Sequence, residues 1–138
     1  MKVECAKDKL KEAVSQVGKI ATKNLSLPIL EAILIEAKDK SLILRATNLD
    51  VGVEIRIPAK VEKAGSTARP ADILNSFLSG LSDSQTIKLD LVNNNLLIST
   101  SRNSTVIKSF AIDDFPSITQ IDKEESFSIE GGKLVLGI

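Results

Sequence analysis

The chain has no histidine, no tryptophan and no tyrosine, and one cysteine, Cys5, in 138 residues. Without histidine, the commonest general base, the usual nucleophile triads and most zinc sites are unavailable. With only four phenylalanines for aromatic side chains, stacking of bases on aromatic platforms has little to work with. A single cysteine excludes an intrachain disulfide and fits a reducing, cytoplasmic setting. Placed in the first extended segment, Cys5 reads as a small buried hydrophobe. Excess charge of either sign is missing too: 18 Lys and Arg balance 18 Asp and Glu. Any basic surface must therefore be local. The N-terminus lacks a signal-peptide pattern, and no apolar run nears the roughly 20 residues that span a bilayer. Neither a G-x-x-x-x-G-K-[ST] loop nor a G-x-G-x-x-G loop occurs.

What is present is a unit used twice. An extended segment leads into a short amphipathic helix, then into three alternating segments joined by tight turns. The first copy starts at Val3-Glu4-Cys5. Its helix is expected from about Asp8 to Lys19, with Leu10, Ala13, Val14 and Val17 at helical spacing. Strands follow at 29–37, 41–47 and 51–57, the last alternating Val51, Val53, Ile55 and Ile57 with polar residues. The second copy starts near Gly65-Ser66-Thr67. Its helix is expected from Pro70 to Leu81, with Ile73, Leu74, Phe77, Leu78 and Leu81 inward. Strands follow at 86–91, 96–100 and 105–110, the first two joined by an asparagine-rich turn. Residues 111–125 show no strong periodicity and read as a surface linker. At Ser126-Phe127-Ser128-Ile129 the unit begins a third time and breaks off at Ile138, which predicts a longer encoded chain. A repeat of this size cannot bury its apolar face alone, so the copies are expected to pack on each other.

Little in these residues points to catalysis. Asp113 and Asp114, beside Pro116, read as a solvated bend, and Gly131-Gly132 as a turn. Asp50 and Glu54 flank a turn and an exposed strand face, which suits solvent better than a cation. No cofactor or metal is expected. The remaining candidates are basic: Lys11, Lys19, Lys23, Arg69 and Arg102. Lysines on the solvent face of a helix serve solubility in most proteins. Composition alone thus describes a β-rich domain without an assigned role.

The ordered motifs say more. Leu27-Pro28-Ile29-Leu30, Ala46-Thr47-Asn48-Leu49-Asp50, Pro70-Ala71 opening a helix that closes on Gly80-Leu81, and Asp114-Phe115-Pro116 follow one another along the chain. This set resembles the N-terminal domain of the bacterial DNA polymerase III beta subunit, the sliding-clamp family. The resemblance implies an α+β DNA-clamp fold, with two helices packed on antiparallel sheets. It implies a clamp domain over residues 1–123, and over 124–138 a linker and first strand of a second clamp domain. It also implies a non-enzymatic processivity factor: two subunits closing head to tail into a homodimeric ring around duplex DNA. Polymerase and clamp loader would bind through later domains. By the same resemblance, Lys11, Ser15, Lys19, Lys23, Asn24 and Arg69 are expected to face DNA. Arg102, Thr105 and Ile107 are expected at a subunit interface along an edge strand. The second helix carries Asp72, Asn75, Ser76 and Ser79 where relatives often carry basic residues, which implies a weak contribution to DNA contact. The alternative is a stand-alone interaction domain of the same architecture that forms no ring; reading the gene past Ile138 separates the two.

Overall fold

The computed structural model describes residues 1–21, 23, 27–81, 86–108 and 116. The third copy of the unit and the boundary expected near residue 123 lie outside the described residues. Within them the doubled unit is plain. The first copy runs β1 (Lys2–Ala6), α1 (Lys7–Gly18), β2 (Ala32–Lys38), β3 (Ser41–Thr47) and β4 (Gly52–Lys63). The second runs β5 (Gly65–Pro70), α2 (Ala71–Ser79), β6 (Thr86–Val92), β7 (Asn95–Ser99) and β8 (Ser104–Ile107).

The strands form one antiparallel sheet in the order β5-β2-β3-β4-β1-β6-β7-β8. Each half of that order is a meander from one copy, headed by the first strand of the other copy. Ile33 faces Arg69 where β5 joins β2, and Glu4 faces Lys88 where β1 joins β6. The two copies are therefore interlocked by exchanged strands.

The halves meet through β4, which is 12 residues long. Gly52 to Pro58 pair with β3, and Ala59 to Lys63 pair with β1. Pro58 stands where the strand changes partners, a position that tolerates its missing N–H. The register with β1 slips by one residue beside Lys2 and Val3, a bulge that bends the strand.

Two tight hairpins carry positive φ at both central residues, the type I′ geometry that matches strand twist. They are Asp39 (50°) with Lys40 (61°), and Asn93 (51°) with Asn94 (65°). Asparagine accepts this conformation readily; lysine does so at a cost. Pro28–Glu31 form a 3-10 turn rather than the start of β2, because the Leu30 N–H bonds back to the Leu27 carbonyl (3.0 Å).

One core draws on both helices, on β1 to β4 and on β6 to β8. The inward side of α1 is Leu10, Ala13, Val14 and Val17, and that of α2 is Ala71, Leu74 and Leu78. Ile73, expected inward, is 48% exposed. It precedes Leu74 by about 100° of helical turn, outside the narrow stripe that a nine-residue helix buries. Cys5 is buried, and burial together with Glu4 pushes its thiol up to about 12. It stays protonated and inert, as expected of a packing residue.

Two glycines test the packing. A Cβ at Gly65 would lie 2.9 Å from the Met1 Cβ and 3.1 Å from the Met1 nitrogen, so the first residue must shift. Gly65→Ala is expected to cost about 1–3 kcal/mol. A Cβ at Gly18 would meet the Ala71 Cβ at 3.8 Å, ordinary contact. Gly18→Ala is expected to be neutral or to gain up to about 1 kcal/mol. Urea midpoints of the two variants check both values.

Candidate nucleic-acid interface

The helix pair presents one face to the core and the other to solvent. Lys11, Ser15 and Lys19 recur at four-residue spacing on α1 and its C-cap, which places them along one side of the helix. Ser15 and Lys19 are exposed and Lys11 is half-buried. Lys23 is exposed beyond the helix, and Asn24 lies outside the described residues. Between the helices runs a groove of about 370 Å³. Val14 and Ala71 line its buried part, with Ser15, Gly18, Lys19, Asp72 and Asn75 around it. The structure thus brings two of the expected contact residues, Ser15 and Lys19, to one groove and places Lys11 on the same helix.

Arg69 does not join them. Its relative exposure is 0%. The sequence reading starts the second copy near Gly65-Ser66-Thr67, opens its helix at Pro70 and counts Arg69 among the basic contact candidates. β5 runs to Pro70, so Arg69 takes the same inward face as Thr67 and lies opposite Ile33. Its guanidinium donates to the Ala68 carbonyl (2.7 Å) and to the Asn94 carbonyl in the β6–β7 turn (2.9 Å). Its Nε has no partner. Desolvation lowers its pKa to about 10, so it remains charged at neutral pH. Arg69 is an internal tie between β5 and the hairpin of the other half, and it is withdrawn from the DNA-facing set.

Ile107 is corrected in the same way. At 4% exposure it belongs to the core, opposite Leu96. Thr105 shares its face opposite Ile98, and Val106, 59% exposed, takes the outer face. The expected orientation of the strand is off by one residue, and a one-residue change swaps every side chain to the other face. β8 ends the sheet order among the described residues. Arg102 is exposed in the turn before it, where the Thr100 hydroxyl accepts the N–H groups of Arg102 (3.4 Å) and Asn103 (3.1 Å).

Several polar residues that the sequence reading passed over are structural. The Lys7 side chain is buried and donates to the Leu81 carbonyl (3.2 Å), joining the start of α1 to the end of α2. Arg45 pairs with Glu36 (2.6 Å) and Glu54 (2.7 Å) across β2, β3 and β4. Its partial burial would lower the guanidinium pKa, but the hydrogen bonds it donates to the two carboxylates, with their charge, outweigh that and raise it. Such partly exposed pairs are worth about 0.2–1 kcal/mol each. Glu54 is thereby engaged, and no cluster of metal-ligating residues occurs among the described residues. In the turn after β3, the Thr47 hydroxyl donates to the Val51 carbonyl (3.0 Å) and accepts from the Leu49 N–H (3.1 Å). The Asn48 side chain accepts from Asp50 (3.0 Å) and Val51 (2.8 Å). These bonds hold Leu49 at a φ of 78°. The Thr47-Asn48-Leu49-Asp50 motif therefore encodes a turn.

Comparison with known proteins agrees with this architecture. The model of the DNA polymerase III beta subunit, N-terminal domain, matches residues 1–119. The chain belongs to that family. A beta sliding clamp of Buchnera aphidicola is 29% identical over 136 residues, covering 97% of this chain and 37% of the relative. The DNA polymerase III beta subunit of Thermotoga maritima superposes with a TM-score of 0.81 at 28% identity, over 88% of this chain and 33% of that one. A Helicobacter pylori beta clamp, solved with a DNA ligase peptide, gives 0.81 at 27% identity, over 88% and 34%. The chain thus spans about a third of the length of these relatives. No helix among the described residues is long and apolar enough to cross a membrane.

Two pairs of variants separate packing from surface roles in this clamp domain. Arg69→Ala leaves a void and two unmatched carbonyls, and should cost about 2–4 kcal/mol. Arg69→Met keeps most of the volume but leaves the same two carbonyls unmatched, so it should cost less than Arg69→Ala, about 1–3 kcal/mol. Ile107→Lys should unfold the domain or cost at least about 3 kcal/mol, whereas Val106→Lys should change stability by no more than about 0.5 kcal/mol. Chemical denaturation of the four variants gives the comparison.

Proposed function

We propose that the chain is the N-terminal part of a DNA sliding clamp: a non-catalytic processivity factor that encircles duplex DNA in the cytoplasm and tethers a replicative polymerase. The observation that carries this reading is the interlocked double unit, matched by the beta-subunit family over residues 1–119, whose helix pair leaves Lys11, Ser15 and Lys19 on one side of α1.

On this reading the helices face the duplex and the sheet forms the outer wall. Lys11, Ser15, Lys19, Lys23 and Asn24 meet phosphates. Contacts to phosphate carry no sequence information, and few of them leave the duplex free to move. The end strand β8 closes the ring by pairing with another subunit through its free backbone edge, since unpaired strand N–H and C=O groups favour strand addition. Val106 and Arg102, rather than Ile107, are then the side chains beside that edge. Polymerase and clamp loader engage parts of the protein outside this chain. The DNA ligase peptide bound to the Helicobacter pylori clamp shows that clamp capturing a partner segment.

Fluorescence anisotropy of a short labelled duplex tests the reading. With roughly two to four phosphate contacts and no ring, the chain should bind at about 10⁻⁴ M or weaker, with affinity falling steeply as salt rises. Lys19→Glu combined with Lys23→Glu should abolish that binding without lowering the melting temperature. Binding that depends on base sequence and survives high salt contradicts a sliding clamp.

A further inference from the structure

The two helices that share the groove differ in charge. α1 and its C-cap contribute Lys9, Lys11 and Lys19 against Asp8 and Glu12, with Lys7 turned inward to Leu81. From Ala71 to Ser79, α2 has no lysine or arginine, and its only charged residue is Asp72. Its exposed positions are otherwise Ile73, Asn75, Ser76 and Ser79. Asp72 is not spent on an ion pair among the described residues; its Oδ1 accepts only the N–H of the next residue, Ile73 (2.8 Å). It lines the same groove as Lys19. The nearest arginine in sequence, Arg69, is sealed in the core.

We propose that Asp72 is a charge brake on phosphate binding, setting how weakly this helix pair holds DNA. A carboxylate beside the groove lowers the local potential at Lys19 and repels a phosphate that would bridge α1 and α2. The duplex is then held along α1 alone, and no phosphate is clamped between two helices. Such clamping would oppose sliding. The inference rests on the helix pair facing DNA, as in the function proposed above. A local role also exists: Asp72 in the first turn of α2 complements the helix dipole. Stability and DNA affinity separate the two roles.

The test compares Asp72→Asn and Asp72→Lys with Asp39→Asn. Asp39 sits in the β2–β3 hairpin, lines no part of the groove, and holds a positive φ that asparagine accepts. All three variants and the parent chain are titrated against the same short duplex at low and near-physiological salt, and their melting temperatures are recorded. Asp72→Asn should tighten low-salt binding about threefold, with the gain fading as salt screens it, and Asp39→Asn should give a smaller change. Asp72→Lys should tighten further and steepen the salt dependence by about one unit of log–log slope. Equal gains for Asp72→Asn and Asp39→Asn would reduce the effect to net charge and overturn the proposal. A loss of melting temperature at Asp72 with unchanged affinity would leave only the helix-dipole role and also overturn it. A parent chain with no salt-dependent DNA binding would overturn the functional reading itself, and this inference with it.

Discussion

The exchange of first strands is the constraint on which the fold depends. β1 completes the meander of the second copy and β5 completes that of the first, so neither copy has a whole sheet without the other. Local contacts within a copy cannot supply the missing strand. The helices follow each exchanged strand directly, α1 from Ala6 and α2 from Pro70, so placing the strands also places the helices side by side. Lys7 then ties the start of one helix to the end of the other through the Leu81 carbonyl, and Arg69 ties β5 to the opposite hairpin through the Asn94 carbonyl. Both cations serve the joint between copies, where polar backbone would otherwise be buried without partners.

That use of cations bears on function. The chain has no surplus of positive charge, and its structure withdraws Lys7 and Arg69 from the surface. What remains by the groove is sparse: Lys19, the hydroxyl of Ser15, the amide of Asn75 and the carboxylate of Asp72. For a protein that must recognise one sequence this is a poor surface. For the proposed clamp it is fitting, because retention comes from a closed ring and strong contacts would only slow the duplex.

The strand and helix order was legible in the sequence because its signals are local and redundant. β3 was expected from Ser41 to Thr47 and is found there, bounded by two turns. The meander of the second copy followed from alternation and the Asn93-Asn94 turn. The two site errors fall where tertiary pairing decides. Arg69 turns inward because β5 runs three residues past Thr67, to Pro70, to complete pairing with β2. Alternation in Ser104–Ile107 does not reveal which face is inner, since Thr105 and Val106 are nearly alike in size and shape. Only pairing with Leu96 and Ile98 orients the strand. Which strand of one copy completes the other is likewise not written in any short window.

The corrected orientation of β8 changes what an assembly could use. With Ile107 inside, the strand offers a backbone edge, the outward side chain of Val106 and the nearby Arg102. Among the described residues the edge is four residues long, which offers few backbone hydrogen-bonding groups, and one exposed valine adds little apolar area. Such an edge is too small to hold two subunits at low concentration without further contacts from the surrounding surface. In the proposed ring, closure through β8 would therefore depend on shape and charge supplied around the strand. That would suit the proposed ring, since a large apolar seam there would make any opening around DNA costly.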